Sequence, residues 1–329
     1  MLDLISLPKA HLHLHLESAI RKDTYHEYCK RDGVLIPQRS DFPDEGHFRG
    51  EGEWNYLTAV FSTIYSTLKT KDALERLVWE LVEDEAKQGV VWIEPTIYVP
   101  SYRHIFGDDD ASAAFFVSTF SNACTHFGTH SGFIFIADRA KSAEEAEEQA
   151  LLASRWKDKG VVAFGLANLE VGFPGLRFQK AFDIAKAHGL LSAPHAGEMV
   201  GAENIWEALN CLNADRLAHG VNAVHDPTLM TILAERQICL DLCPTSNLWL
   251  KALDENVTYP LKRFLDLGIP CSVNTDNPRV WDIRLIDEYA LCQREFGLSD
   301  ADIKLIARNS IQFSGAPRFL KDRYCGREE

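Results

Sequence analysis

Short apolar runs recur along the whole chain, separated by stretches whose apolar positions repeat at helical spacing. The runs predict strands at residues 10–15, 90–94, 132–137, 161–166, 191–195, 216–219, 238–242 and 271–275. The intervening patterns predict helices at 72–87, 143–156, 178–188, 226–236 and 261–267. Strands alternating with helices imply parallel strands joined by right-handed crossovers. Eight such strands in 329 residues point to an α/β fold, a closed (β/α)8 TIM barrel forming one domain over residues 1–329. The competing doubly wound sheet is disfavoured because no Gly-x-Gly-x-x-Gly follows the first strand. Extra helices are expected near the N-terminus. Residues 37–53 read as an irregular excursion rich in Asp, Glu, Gly and Pro. After it, Trp54, Tyr56, Leu57, Phe61 and Tyr65 suit one apolar helix face. Core packing is the expectation for that stripe, and a lid over a flat ligand is the alternative.

Charge narrows the partners. The 48 acidic residues outnumber the 34 basic ones, which disfavours nucleic acid or an anionic membrane surface as a partner. No run is long and apolar enough to span a bilayer, and the opening residues lack the pattern of a secretory signal. The eight cysteines form no Cys-x-x-Cys pair, so reduced, mostly buried thiols and a cytoplasmic location are expected.

Metal-capable residues fall repeatedly at the C-terminal ends of the predicted strands, where a barrel gathers its chemistry. In His11-Leu12-His13-Leu14-His15-Leu16, strand alternation puts the three histidines on one face. Two imidazoles at i and i+2 can grip one ion, and His13 and His15 lie nearest the mouth. In Pro194-His195-Ala196-Gly197-Glu198 a histidine closes a strand, and a glycine lets the chain turn to a carboxyl suited to proton donation. His219 closes the next strand ahead of Gly220 and is a candidate base. Asp276 follows the last strand as a candidate ligand, beside Asn277 and Pro278. Singly, each motif has a plain structural reading: a satisfied histidine, a loop glutamate, an ordinary turn. Together they make a nitrogen and oxygen ligand set for zinc or a similar divalent ion, with a spare acid and a spare base. The implied class is metal-assisted hydrolysis.

At this point the chain resembles the adenosine/adenine deaminase family of the amidohydrolase superfamily. The resemblance runs from Leu7-Pro8-Lys9-Ala10 and the His-Leu-His motif through His195-Ala196-Gly197-Glu198 and His219-Gly220. It continues through Cys243-Pro244-Thr245-Ser246-Asn247 to Thr275-Asp276, in the family's order. It implies a barrel binding one divalent metal, usually Zn2+, through His13, His15, His195 and Asp276. It further implies a small-molecule purine base or nucleoside as substrate. Glu198 would protonate purine N1, hydroxide on the metal would attack C6 with His219 as general base and electrostatic stabiliser and Asp276 helping to orient it, and ammonia would leave. The other zinc deaminase class is excluded: His15-Leu16-Glu17 fits its His-x-Glu, but no Pro-Cys-x-x-Cys follows.

Departures from the family pattern fall at expected substrate contacts. Glu17-Ser18 replaces Asp-Gly where the family's acidic residue meets ribose. Asn277 replaces an acid that bonds N7, and an amide can still donate there. Asn168 stands where adenosine deaminases carry glycine, at the N3 edge, near the expected contact of Gly197. The resemblance therefore implies hydrolytic removal of ammonia or an amine from adenosine, adenine, an N6-substituted adenine or a modified nucleoside. The rivals are a hydrolase of a non-purine heterocycle on the same barrel and a non-catalytic purine-binding protein.

Overall fold

A computed structural model describes residues 2–326. Its frame is β1 (Lys9–His15), β2 (Val90–Ile97), β3 (Phe133–Asp138), β4 (Val161–Ala167), β5 (Leu191–Ala196), β6 (Arg216–His219), β7 (Cys239–Leu242) and β8 (Cys271–Val273). Neighbours pair in sequence order, all parallel. The ring closes just beyond β8: His15 N donates to Asp276 O and Asp276 N to His13 O, both at 3.0 Å. This is the expected (β/α)8 barrel. Because all strands run the same way, their C-terminal ends share one mouth.

The helices wrap this ring by burying one face each. Three precede β2: α1 (Lys22–Asp32), α2 (Glu51–Thr67) and α3 (Lys71–Lys87). In α3, Leu74, Leu77, Val78, Leu81 and Val82 are buried, and the Thr70 side chain caps Ala73 N at 3.2 Å. Each such side chain contributes about 1.5–3 kcal/mol on burial, so packing rather than helix propensity holds the segment. The predicted helix at 143–156 is Ala143–Trp156, and that at 226–236 is Pro227–Glu235. Helices at Asp109–Phe127, Ala202–Cys211 and Leu285–Glu295 were not expected.

The barrel interior below the mouth is plugged by charge. Arg216 of β6 reaches Glu94 of β2 and lies 2.7 Å from Asp241 of β7. Trp92 Nε1 donates to Glu94 Oε1 at 2.7 Å. All three charged side chains are at most 2% exposed, so their pairing is what makes their burial tolerable. Glu94, which ends a predicted strand without a motif around it, belongs to this plug.

Candidate metal and catalytic site

The His-Leu-His strand departs from simple alternation. Asn274 sends one side-chain oxygen between β8 and β1, where it accepts from Leu12 N at 2.8 Å and His13 N at 3.1 Å. Two successive N–H groups on one acceptor make a bulge, and the pairing of β1 with β2 shifts register between His11 and Leu14. The expectation that all three histidines share a face therefore fails. Leu12 packs with Trp92, while His11 turns to α3, its Nδ1 3.1 Å from Glu85 Oε2. His11 Nε2 lies 3.0 Å from Thr275 Oγ1. His13 and His15 remain at the mouth.

Three further strand ends meet them. His195 lies in β5, His219 ends β6, and Asp276 follows β8. His219 and Asp276 have left-handed backbones, φ 69° and 58°. Such conformations are uncommon for side chains other than glycine and gather at functional sites. One donor atom each from His13, His195, His219 and Asp276 lies within 4.8 Å of all the others. His15 adjoins this group: its Nε2 is 3.2 Å from His195 Nε2 and 3.3 Å from Asp276 Oδ1. His13 Nε2 is also 3.3 Å from Asp276 Oδ1. Donors bound at 2.0–2.1 Å to one tetrahedral zinc stand about 3.3–3.4 Å apart, so these spacings fit a single ion. The Nε2 atom of His13 is buried and makes no well-angled hydrogen bond, as befits a nitrogen aimed at the shared centre.

Outer residues fix these rings. His13 Nδ1 faces Asp241 O and Cys243 Sγ, each at 3.4 Å, which leaves Nε2 for the centre. Ser246 Oγ donates to Asp276 Oδ2 at 2.7 Å. Tyr259 OH donates to Asn247 Oδ1 at 3.0 Å, and Asn247 Nδ2 donates to His219 Nδ1 at 3.0 Å. A neutral His219 then carries its proton on Nε2, which stands 3.3 Å from Glu198 Oε1. Of this outer set, Cys243, Ser246 and Asn247 stand in the Cys-Pro-Thr-Ser-Asn run, but no role was attached to them. The run's signal was its place after a strand end.

Environment separates the titrating groups. Burial, then the neighbouring histidines, holds His195 well below the ordinary imidazole range, and burial followed by His13 does the same for His219. Burial, reinforced by Asp276 and Glu170, pushes the Glu198 carboxyl well up. Burial opposes ionisation of Asp276 too, but the His13 and His15 imidazoles beside it outweigh burial and hold that carboxyl well down. The two carboxyls of one site are thus driven in opposite directions.

A cavity of about 370 Å³ opens over these groups, bounded by His15, His195, Glu198, His219 and Asp276. Its size suits a small-molecule pocket. Its outer wall is α2, which presents Trp54, Leu57, Phe61 and Tyr65 to the cavity. Core packing, the expectation for this stripe, describes only part of it: Tyr56 and Tyr65 pack against the core, and Tyr56 also lies against Trp249. Asn168 and Asn277 both line the cavity. Asn168 has φ 83° and donates to Asp138 Oδ1 at 2.8 Å. Asn277 is 3% exposed, and its Oδ1 makes no hydrogen bond.

The other two expected contacts sit differently. Glu17, 2% exposed, accepts from Tyr102 OH and lies outside the cavity lining, with burial pushing its carboxyl up. Gly197 has φ 68°, and a Cβ there would meet Ile205 Cδ1 at 2.4 Å, so only glycine fits the turn. Its N–H is taken by Glu170 Oε1 at 2.9 Å.

An eight-stranded parallel barrel with an imidazole and carboxylate site at its mouth defines a metal-dependent hydrolase. Residues 8–324 match the adenosine deaminase family. A putative adenosine/adenine deaminase of Streptomyces coelicolor is 33% identical over 98% of this chain and 95% of its own. The aminodeoxyfutalosine deaminase of the same organism is 33% identical over 94% of this chain and 80% of its own. A zinc-bound amidohydrolase from Burkholderia ambifaria superposes with a TM-score of 0.82, at 26% identity, covering 98% and 89% of the two chains. The chain belongs to the adenosine deaminase family, hydrolases that act on C–N bonds. Among the described residues no helix is long and apolar enough to cross a membrane.

Proposed function

We propose that this protein hydrolytically removes the 6-amino group, as ammonia or an amine, from a purine base or nucleoside, with zinc as its ion. The observation that carries the reading is geometric: donor atoms of His13, His195, His219 and Asp276 gather within 4.8 Å of one another, at a cavity that His195, His219 and Asp276 line together with Glu198, whose carboxyl is 3.3 Å from His219. His13, His15, His195 and Asp276 would hold the ion. His219 is set apart from them because its Nδ1 accepts from Asn247, so its Nε2 carries a proton and has no lone pair for a metal. A bound divalent ion lowers the pKa of its water towards about 7 and so supplies a nucleophile at neutral pH.

Glu198 delivers its proton to purine N1, which makes C6 electrophilic. Asp276 accepts one proton from the attacking water and passes it to the 6-amino nitrogen, which leaves as the neutral amine when the C6–N bond breaks; the water's second proton, released as C6–O becomes a carbonyl, restores the Glu198 carboxyl. His219 Nε2–H donates to the developing oxygen charge. This gives His219 the electrostatic part of its expected role and moves the base to Asp276. Asn277 lines the cavity, and its Nδ2 is the donor that would meet purine N7. Trp54 and Phe61 offer apolar surface to a flat ring. With Glu17 drawn behind the wall, Ser101, Asp138, Lys141 and Asn168 are among the polar residues of the lining that could meet a sugar.

Relatives named for adenosine, adenine and aminodeoxyfutalosine define the panel for a test. Zinc-loaded protein is incubated with these compounds and N6-substituted adenines in heavy-oxygen water. The reading requires a product with heavy oxygen at C6 and release of the amine. A ring-opened product, or a heterocycle outside the purines as the one turned over, contradicts it.

A further inference from the structure

Glu170 lies in the loop after β4, and it is buried more deeply than a carboxylate tolerates without partners: its side chain is 0% exposed. Its partners are unusual. Oε2 accepts from three successive backbone N–H groups, Glu198 and Met199 at 2.8 Å and Val200 at 3.3 Å. Oε1 accepts from Gly197 N at 2.9 Å and Asn204 Nδ2 at 3.3 Å. Residues 197–200 form the turn that leaves β5, so their N–H groups have no strand or helix to pair with. One carboxylate gathers all four, as an anion does in a backbone nest.

The carbonyls of the same turn are held from the other side. Arg139, 1% exposed, donates to His195 O and lies 3.9 Å from Glu170 Oε1, so it balances the buried charge. Asn222 Nδ2 donates to Glu198 O at 2.9 Å and Gly197 O at 3.2 Å. The segment that carries Glu198 is therefore pinned at both donors and acceptors, with Glu170 as the single acceptor.

We infer that Glu170 is a positioning residue for the reaction: its carboxylate clamps the backbone of residues 197–200 and so aims the Glu198 carboxyl at the substrate. The inference rests on the reading of Glu198 as the proton donor. A neutral amide cannot replace the carboxylate. In Glu170→Gln the amide nitrogen would face N–H donors on one side or the other, so part of the turn must move. Displacing a reacting group by about 1 Å can cost about 100-fold in rate.

Two measurements test this. In the zinc-loaded wild type, amide hydrogen exchange of residues 197–200 is expected to be strongly protected, although the segment is a loop. Exchange at the rate of an open chain would overturn the clamp. In zinc-loaded Glu170→Gln, kcat is expected to fall about 100-fold with KM changed less than about threefold, zinc content kept, and exchange at 197–200 accelerated. Unchanged kcat with only a lower Tm would mean a structural role and overturn the inference. If Glu170→Gln does not fold, the wild-type exchange measurement still decides. If wild type deaminates nothing on the panel, the proposed function fails while the exchange result continues to report on the clamp alone.

Discussion

Ser246→Ala isolates one hydrogen bond behind the metal site. Ser246 is fully buried, and its hydroxyl donates to Asp276 Oδ2 at 2.7 Å, on the far side of the carboxylate from His13 and His15. Alanine removes the hydroxyl and little else, so the fold should stand. Hydrogen bonds to charged groups contribute about 1.5–3 kcal/mol. At 1.4 kcal/mol per decade that is about 10- to 150-fold, if the bond helps hold Asp276 as an ionised ligand. Loss of partners behind metal ligands in other proteins typically costs 10- to 100-fold in metal affinity or activity, which agrees. The assay is zinc affinity by competition with a chromophoric chelator, at fixed pH, for wild type and variant. Weakening by about one to two decades is expected. Affinity within threefold of wild type, in a variant with unchanged Tm, would show that Ser246 does not support Asp276.

His15→Ala should abolish stoichiometric zinc binding, whereas His219→Ala should keep the zinc and lose turnover. Metal analysis after dialysis checks both, and zinc lost from His219→Ala but kept in His15→Ala would reverse the ligand assignment. Glu288 is 1% exposed, and burial pushes its carboxyl from 4.5 up to about 8. Between those values the unfolded chain has released the proton and the folded chain has kept it. Stability from this group is therefore full below 4.5 and is lost as pH rises towards about 8, by about 1.4 kcal/mol per pH unit. Glu288→Gln should remove that part of the slope in denaturant unfolding measured across this window, and equal slopes would refute it.

The barrel was legible because each strand is a short apolar run and the separating segments repeat at helical spacing. The site was legible because its side chains cluster at strand ends: His13, His15, His195, His219 and Asp276 converge within one mouth. What the chain hid depends on contacts between residues remote in sequence. His11 turns away because Asn274 places its oxygen under Leu12 and His13, and no local pattern encodes that bulge. Glu17 is withdrawn from the cavity by Tyr102. The stripe from Trp54 to Tyr65 has apolar residues around much of the helix, so periodicity alone could not separate the cavity face from the core face. Glu170 was visible in Gly165-Leu166-Ala167-Asn168-Leu169-Glu170, but its partners lie on the next strand's turn. Arg139 and Asn222 carried no motif at all.

The central claim is that Glu198 donates the proton that makes hydrolysis at C6 possible. The most direct test compares amine release by zinc-loaded wild type and Glu198→Gln on the purine panel, with metal content matched. The account predicts turnover of at least one 6-aminopurine by wild type, and a loss of about 100-fold or more in the variant, in line with general acid catalysis. Equal rates in the two proteins, or no amine released from any purine by fully loaded wild type, would contradict it.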